Sequence, residues 1–194
     1  MLRKMAEQQK VKKNVKKQFF DVRSAVTNVR MQLYAASIEE LEGRVVTIDL
    51  TRNLRGKNMV LKLKTKLENG ALSGEPVSLA LAGSYIRRMI RPGTDYVEDS
   101  FEVECRDMKT RIKTFMITRN KVSRAVRNEL RNEGKKFIEG YVKARTIKEV
   151  FSEIMANKLQ RELSLKLKKV YPLALCEIRS FEIVPEKKLE EARK

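Results

Sequence analysis

Residues 96–131 have the sequence YVEDSFEVECRDMKTRIKTFMITRNKVSRAVRNELR, in which two alternating stretches are followed by a cluster of cations. From Tyr96 to Cys105 apolar side chains alternate with polar ones, which is typical of a half-buried β-strand. Arg111–Thr118 is a second run of apolar and β-branched residues. A short turn over residues 106–109 would join the two runs, so the segment predicts an antiparallel hairpin.

The charges of this hairpin predict how its strands pair. A turn over residues 106–109 sets Glu104 opposite Arg111, and opposite charges across an antiparallel pair favour that register. Phe115 and Ile117 are apolar where the first strand is polar. We therefore expect the outer face of the hairpin to be partly covered near its base.

A basic helix is predicted directly after the hairpin. Val122, Val126 and Leu130 repeat every four residues, as on one face of a helix that packs on the sheet. Glycines at positions 134 and 140 leave open one helix or two short ones. The cations are either a solvated helix face or an RNA-binding surface, and we favour the second interpretation. The members of this set are Arg119, Lys121, Arg124, Arg127, Arg131, Lys135 and Lys136.

Composition indicates a polyanionic partner. The 194 residues include 43 Lys and Arg against 25 Asp and Glu, a net charge of +18 with a pI of about 10.0, while 42% of residues are hydrophobic. Unneutralised cations repel one another in the free protein, so nucleic acid is the first candidate partner and an anionic membrane surface the second. No run is long enough to span a bilayer and the N-terminus has no apolar signal-peptide core, so we predict a cytoplasmic protein.

The residue types that most often carry catalysis are missing. The chain has no histidine and two cysteines, which excludes a Ser/His/Asp triad and a Cys/His zinc site. It has no phosphate-binding glycine loop of the GxxxxGK[ST] or GxGxxG kind. We predict no enzymatic activity, no cofactor and no metal. Cys105 and Cys176 lie in apolar, strand-like contexts and are predicted to be buried free thiols.

Three regions are predicted along the chain. Residues 1–18 are a basic arm with Glu7 as its one acidic residue, which is either a solvated tail or, as we favour, an arm that RNA orders. Residues 19–184 are predicted to form a single α+β domain that begins at the apolar anchor Phe19–Val22, and residues 185–194 a charged tail. The cations predicted to bind RNA from the arm and the segment after it are Lys10, Lys12, Lys13, Lys16, Lys17 and Arg23.

Two alternating strands and a helix are predicted before the central hairpin, in addition to a first strand at Val29–Tyr34 and a short strand after Asn69-Gly70. Arg44–Leu50 and Met59–Leu67 alternate as half-buried strands, the second with a lysine face that binds RNA or guards a sheet edge. After the turn signal Asn69-Gly70, Ser78 is predicted to cap a helix that reaches Ile90. Cations in its last turn suit the helix dipole as well as an RNA contact. The basic residues of the loop between the strands and of this helix are Arg52, Arg55, Lys57, Arg87 and Arg88.

The C-terminal third predicts two helices and a strand. Thr146 and Glu149 form a capping box before an apolar stripe, which begins the first helix. Leucines at 159, 163 and 167 favour a second helix over a strand, and Pro172 ends it. Leu173–Val184 is the last strand, and a change of phase along it indicates a bulge.

The charge pattern favours one mode of RNA binding. Phosphate contacts are sequence-independent, whereas base readout needs particular side chains. Aromatic residues are 6% of the chain, with no Trp, and most fall in apolar stripes. The sequence therefore does not predict stacking platforms for single strands, and favours docking by shape and charge against folded RNA.

Several motifs occur in the order of a known family. Lys17–Val22 (KQFFDV) comes first, Leu41–Val46 (LEGRVV) with Asp49-Leu50 follows, and Tyr171–Leu173 (YPL) precedes the last strand. In this order and spacing, with the hairpin and basic helix between them, the chain resembles the archaeal and eukaryotic eS-one (S-three-A-e) family of small-subunit ribosomal proteins, in its archaeal form. The resemblance extends from about Lys16 to Val184.

The resemblance implies a structural constituent of the ribosome with no catalytic activity. It implies a mostly antiparallel, barrel-like β-sheet flanked by helices, on the small-subunit platform near the rRNA 3′ end and the mRNA exit path. The partners implied are small-subunit rRNA, neighbouring ribosomal proteins and mRNA near the exit path, with no membrane and no small-molecule substrate. The alternative from another class is an RNA-binding assembly factor or RNA chaperone that leaves the mature subunit.

Overall fold

The computed structural model describes residues 16–184 except 25, 28, 55 and 69, and over these residues the chain is α+β. The strands are β1 (Gln18–Ser24), β2 (Arg30–Ala35), β3 (Val45–Asp49), β4 (Met59–Glu68), β5 (Ala71–Leu81), β6 (Tyr96–Glu104), β7 (Lys109–Thr118) and β8 (Leu173–Ile183). The α-helices are α1 (Gly83–Met89), α2 (Arg124–Lys143), α3 (Ile147–Met155) and α4 (Lys158–Leu167), and a 3-10 helix covers Glu39–Leu41.

The strands form one mixed sheet of eight. Its path is β2-β1-β5-β8-β7-β6, with β4 paired to β5 and β3 paired to β4, and the path does not close among the described strands. The β1–β2, β5–β8, β6–β7 and β7–β8 pairs are antiparallel, whereas β1 and β5 run parallel. A largely antiparallel sheet with accompanying helices confirms the predicted fold class.

The chain divides into two compact units. Among the described residues, the first contains residues 16–46 and 64–75, and the second contains residues 47–63 and 76–184. The boundaries fall inside β3, β4 and β5, so each of these strands contributes residues to both units. Whether residues 19–184 unfold as a single domain therefore stays a prediction.

The central hairpin is present, but its predicted register is wrong by two residues. Glu102 lies opposite Arg111 and Glu104 opposite Lys109. The reason is a tighter turn, in which the Cys105 amide donates a hydrogen bond to the Met108 carbonyl at 3.0 Å. A two-residue slip keeps every side chain on its predicted face, because the side-chain period of a strand is two. The pairing of opposite charges also survives, with Arg111 Nη2 at 2.7 Å from Glu102 Oε1.

The base of β7 is buried on both faces, as the apolar residues there predicted. β7 lies between β6 and β8, and Thr114–Thr118 are buried without interruption. α2 covers this part of the sheet at Gly134, where a Cβ atom would lie 3.8 Å from the Met116 methyl group. Helix α2 continues through both of its glycines as one helix of 20 residues.

Ser78 is not a helix cap, which corrects one prediction. It lies inside β5, opposite Glu182 of β8, and the helix begins later at Gly83 with Ala82 as its N-cap. Ser78 has the side chain of a good cap, but pairing with β8 satisfies its backbone within the sheet instead. Tertiary context here overrides a local preference.

The other predictions for the C-terminal third are confirmed. Thr146 and Glu149 form the capping box of α3, and α4 ends at Leu167. The β7–β8 register shifts between Lys113 and Thr114, which is the expected irregularity in β8. In the core of the second unit, the Phe151 and Phe181 rings pack edge to face with centroids 4.8 Å apart.

The first unit has a small core of its own. Val22, Ala35, Leu41 and Leu72 are buried together, with Phe20, Met31 and Leu33 packed against them. Phe19 is not part of this core, because 68% of its surface is exposed, which corrects its assignment to the apolar anchor. Strand alternation explains the difference, since Phe20 and Val22 share one face of β1 and Phe19 lies on the other.

Candidate nucleic-acid interface

A hydrogen-bonded corner fixes the start of the basic helix. The Thr118 amide at the end of β7 donates to the Asp95 carbonyl at 2.9 Å, and the Asp95 amide donates to the Thr118 hydroxyl at 3.1 Å. The Asp95 carboxylate then accepts from the Val122 amide at 3.0 Å. These bonds join the loop residue just before β6 to the end of β7 and the turn after it, so the sheet determines where α2 begins.

The first turn of α2 combines a capped N-terminus with cations. The Ser123 hydroxyl accepts a hydrogen bond from the Val126 amide at 3.5 Å, and no acidic residue lies in the first turn. Arg119, Lys121 and Arg124 are exposed around this turn. Helix N-termini attract anions through their unpaired amides and dipole. The arrangement suits phosphate groups without any preference for sequence.

The next two arginines of α2 contact the protein itself. Arg131 is exposed, and its Nε donates to the Glu98 carbonyl of β6 at 3.2 Å. Arg127 is half-buried, and its Nε is buried without a hydrogen-bond partner among the described residues. Val122 and Val126 are half-buried, and Leu130 is the fully buried member of the predicted stripe. The arginines therefore lie at the edge of the helix–sheet packing.

Lys135 and Lys136 lie further along α2 beside carboxylates. Lys136 Nζ is 3.1 Å from Glu133 and Lys135 Nζ is 3.9 Å from Glu139. Exposed pairs of this kind contribute little to stability, about 0–1 kcal/mol. Both lysines remain at the surface, with a neighbouring negative charge that weakens their attraction for phosphate.

The cations of α1 are exposed near the β3–β4 loop. Arg87 and Arg88 are both exposed, and Arg88 Nη2 donates to Asn58 Oδ1 at 3.1 Å. The Arg88 guanidinium also lies 5.9 Å from the Tyr85 ring centroid, within the range of a cation–π contact. Arg52 of the loop is exposed as well.

Lys57 does not belong to the RNA-binding set, which corrects its assignment. Its side chain is buried, its ammonium group forms a salt bridge with Glu177 of β8, and it donates to Asn157 Oδ1 at 2.7 Å. A buried ammonium group engaged by a carboxylate is not available to a phosphate outside. The residues next to Lys57 do not predict this salt bridge, because its partner Glu177 is 120 residues away in the chain.

The hairpin of β1 and β2 carries both predicted and unpredicted candidates. Lys16, Lys17 and Arg23 are exposed, so they stay candidates for RNA contacts. Sequence reasoning missed the exposed pair formed by Phe19 and Tyr34, whose strand alternation could have revealed it. The predicted positions that lie outside the described residues are Lys10, Lys12, Lys13 and Arg55.

Comparison with known proteins places the chain in a family. The model of the Ribosomal S3Ae family matches residues 5–187. The chain belongs to the ribosomal S3Ae family. It is thus a member of a structural, non-enzymatic family of ribosomal proteins, found in the cytoplasmic ribosome, as the resemblance implied.

Two archaeal relatives are similar to this S3Ae protein over most of its length. The small ribosomal subunit protein eS1 of Nanoarchaeum equitans is 26% identical over 156 residues, which cover 77% of this chain and 78% of the relative. The protein of the same name from Methanothermobacter thermautotrophicus is 26% identical over 133 residues, which cover 66% of this chain and 68% of the relative.

The titratable groups of this S3Ae protein reflect burial. Both cysteines are buried and free, and burial raises the pKa of Cys105 above its usual value and that of Cys176 to about 12. A thiol with a raised pKa stays protonated near neutral pH and is a poor nucleophile. The described part of the chain holds no cluster of carboxylates and thiols suited to a metal ion. None of its described helices is long and apolar enough to cross a membrane.

Proposed function

We propose that this S3Ae protein is a structural constituent of the small ribosomal subunit and binds rRNA through its basic surfaces. Its place is the platform, near the rRNA 3′ end and the mRNA exit path. Two relatives named small ribosomal subunit protein eS1 support assignment to that subunit. The resemblance in motif order supports the platform, and the net charge of +18 supports RNA as the partner.

One observation carries the rRNA-binding part of the proposal. Arg119, Lys121 and Arg124 are exposed at a helix start that is held by hydrogen bonds to the sheet. Cations on a fixed element lose little conformational freedom when they bind phosphate, so more of their interaction energy contributes to affinity. Neighbouring ribosomal proteins, and mRNA near the exit path, are the further partners.

Stoichiometry in purified particles tests the proposal. A tagged copy of the chain is expressed in cells of the organism that it comes from. Small subunits are then isolated at physiological salt and analysed by quantitative mass spectrometry. We expect one copy per mature subunit, and density for α2 against rRNA in a cryo-EM map of the particle. A chain that occurs on precursor particles but is absent from mature subunits would instead be an assembly factor.

Salt dependence provides a second test of rRNA binding. Each neutralised phosphate releases counterions, so affinity falls steeply with added salt. With several phosphate contacts we expect the affinity for an rRNA fragment to fall on the order of 100-fold or more between low and physiological salt. Filter binding over a salt series measures this, and a flat dependence would contradict docking by charge.

A further inference from the structure

The outer face of the β1–β2 hairpin carries a row of side chains that the small core of the first unit does not use. The inner face supplies Phe20 and Val22 to that core. On the other face, register pairs Phe19 with Tyr34, Asp21 with Gln32, and Arg23 with Arg30. The six side chains of this outer row are all exposed.

An aromatic pair lies at one end of the outer row. The Phe19 and Tyr34 ring centroids are 4.9 Å apart, and 68% of Phe19 and 53% of Tyr34 is exposed. Lys17 Nζ lies 5.7 Å from the Tyr34 centroid. Two adjacent aromatic rings left in water lose the stabilisation that burial would provide, and such exposed apolar patches commonly mark interaction sites. A cation beside the rings favours a partner that is both aromatic and anionic.

An arginine pair lies at the other end of the outer row. Arg23 and Arg30 are directly opposite each other, and like charges in that position are destabilising. Together with Ser24, Thr27 and Val29 they line a cavity of about 270 Å³. The Thr27 hydroxyl is buried without a hydrogen-bond partner among the described residues. An anion between the arginines would relieve their repulsion, and guanidinium groups match the geometry of a phosphate.

Hydrogen-bonding groups occupy the middle of the row. Asp21 offers carboxylate oxygens and Gln32 offers both an amide donor and an acceptor. From Phe19 to Arg23 the strand rises by roughly 13 Å, at about 3.3 Å per residue. The outer row therefore presents a stacking surface first, then polar groups, and then a pair of cations, all on one face of the hairpin.

We propose that this outer row binds a single-stranded segment of RNA. One unpaired base stacks on Phe19 and Tyr34, and a phosphate of the same strand lies between Arg23 and Arg30. Duplex RNA does not fit, because its bases are stacked inside the helix and cannot reach the rings. This inference rests on the proposed function only in taking RNA as the partner, and it adds an unpaired class of RNA to the folded rRNA bound by charge.

Charge favours RNA over a protein at this face. The row itself carries Arg23 and Arg30 against Asp21 as its one carboxylate, and Lys16 and Lys17 directly precede it in the chain. A protein that covered the rings would have to bring compensating acidic groups to both ends. A polynucleotide brings a negative charge at every step together with flat bases that stack on aromatic rings.

Binding of a short single-stranded RNA oligonucleotide to the full-length protein tests the proposal. Removing the rings in Phe19→Ala/Tyr34→Ala should weaken binding by about tenfold and leave the salt dependence unchanged, because stacking releases no counterions. Removing the cations in Arg23→Gln/Arg30→Gln should also weaken binding and should reduce the slope of log affinity against log salt by roughly 0.7, the value for one phosphate of a single strand. The difference between the two slopes separates stacking from phosphate contacts.

A fluorescent probe detects stacking directly. The chain contains no Trp, so Phe19→Trp introduces a single indole beside Tyr34 in the outer row. We expect its emission to be quenched by the single-stranded oligonucleotide and not by the same sequence annealed to its complement. Leu165→Ala is the matched control for removal of the exposed rings. Leu165 is 69% exposed on α4, and its loss should leave RNA binding unchanged. Circular dichroism checks that each variant is folded.

The outcomes distinguish this inference from the proposed function. If Phe19→Ala/Tyr34→Ala binds single strands as tightly as the unchanged protein and the Trp is not quenched, the aromatic pair is not an RNA site and the proposal is wrong. Binding to an rRNA fragment can persist in that case. If the unchanged protein binds neither the oligonucleotide nor rRNA, both proposals fail.

Discussion

Lys57 is buried by contacts with residues that lie far away in the chain. Its neighbours predicted a surface cation on a glycine loop, yet its ammonium group lies buried between Glu177 and Asn157. Asn157 itself has a φ of 58°, in the left-handed region that asparagine adopts more readily than most residues other than glycine. The hydrogen bond from Lys57 to the Asn157 side chain helps to hold this residue at the start of α4.

Removing one charge of this buried pair should lower the free energy of unfolding much more than removing both charges. In Lys57→Met the Glu177 carboxylate is left buried without its partner, and we expect the free energy of unfolding to fall by about 3–5 kcal/mol. In Lys57→Met/Glu177→Leu no charge remains, and most of the loss should be recovered. Urea denaturation measures both. A single variant within about 1 kcal/mol of the unchanged protein would mean that water reaches the pair.

Two glycines should respond oppositely to alanine. Gly140 lies within α2 with no atom near the position of an added Cβ, so Gly140→Ala should raise the free energy of unfolding by about 0.5–1 kcal/mol. Gly93 has a φ of 85°, which alanine adopts only with strain, so Gly93→Ala should lower it. Urea denaturation of the two variants makes the comparison, and stabilisation by Gly93→Ala would contradict this account.

At the scale of the element, α2 joins a packed face to a charged one. Leu130, Gly134 and Ile138 are buried along one side, and Gly134 allows the helix to approach Met116 of β7 closely. Arg124 and Arg131 are exposed at the edge of that face, the second with its hydrogen bond to the Glu98 carbonyl. The packing holds the arginines in place, so their contribution to RNA binding can be tested without unfolding the helix.

The helix should matter more than the arm for RNA binding. Changing Arg124, Arg127 and Arg131 together to Gln should weaken rRNA association more than changing Lys12, Lys13 and Lys16 to Gln, although both remove three charges. The helix cations are already positioned, whereas a segment of like charges loses conformational freedom when it binds. Incorporation of the two triple variants into small subunits measures the difference.

Folding controls accompany this comparison. Gln has good helix propensity, so circular dichroism of the helix variant should match that of the unchanged protein. The melting midpoint of the helix variant should fall slightly, because the hydrogen bond from Arg131 to the Glu98 carbonyl is lost. If the helix variant is incorporated normally while the arm variant fails, the arm is the main RNA-binding element and our reading of α2 is wrong.

At the scale of the whole molecule, the buried apolar residues extend from Val22 to Val184. The bounds of the two compact units fall inside β3, β4 and β5, so no linker separates the units in the chain. We therefore expect one cooperative unfolding transition, seen at the same urea concentration by far-UV circular dichroism and tyrosine fluorescence. Two separated transitions would show independent units.

Removing the first 15 residues should not change that transition. These residues carry five Lys or Arg against Glu7 alone, and a segment of like charge does not readily bury itself in a core. We expect the melting midpoint of the shortened chain to stay within about 2 °C, which corresponds to about 0.5–1 kcal/mol for a chain of this size. Scanning calorimetry measures it, and a large fall would show that the arm contributes to the core.

Local pattern determined much of this protein. Period-two alternation identified β3, β4, β6 and β7, helical spacing identified α2 to α4, and the capping box set the start of α3. These features depend on neighbours in the chain, which a sequence displays directly. Motif order identified the family, and charge together with the missing histidine indicated RNA binding and argued against catalysis.

Features that depend on distant residues followed from the assembly of the fold and could not be predicted from local pattern. Strand pairing placed Ser78 in β5 rather than at a helix cap, and the turn at Cys105–Met108 moved the hairpin register by two residues. Folding brought Glu177 to Lys57 and left Phe19 beside Tyr34 in water. Burial and partnership are properties of how strands are assembled, and residue type alone cannot tell an interior lysine from a surface one.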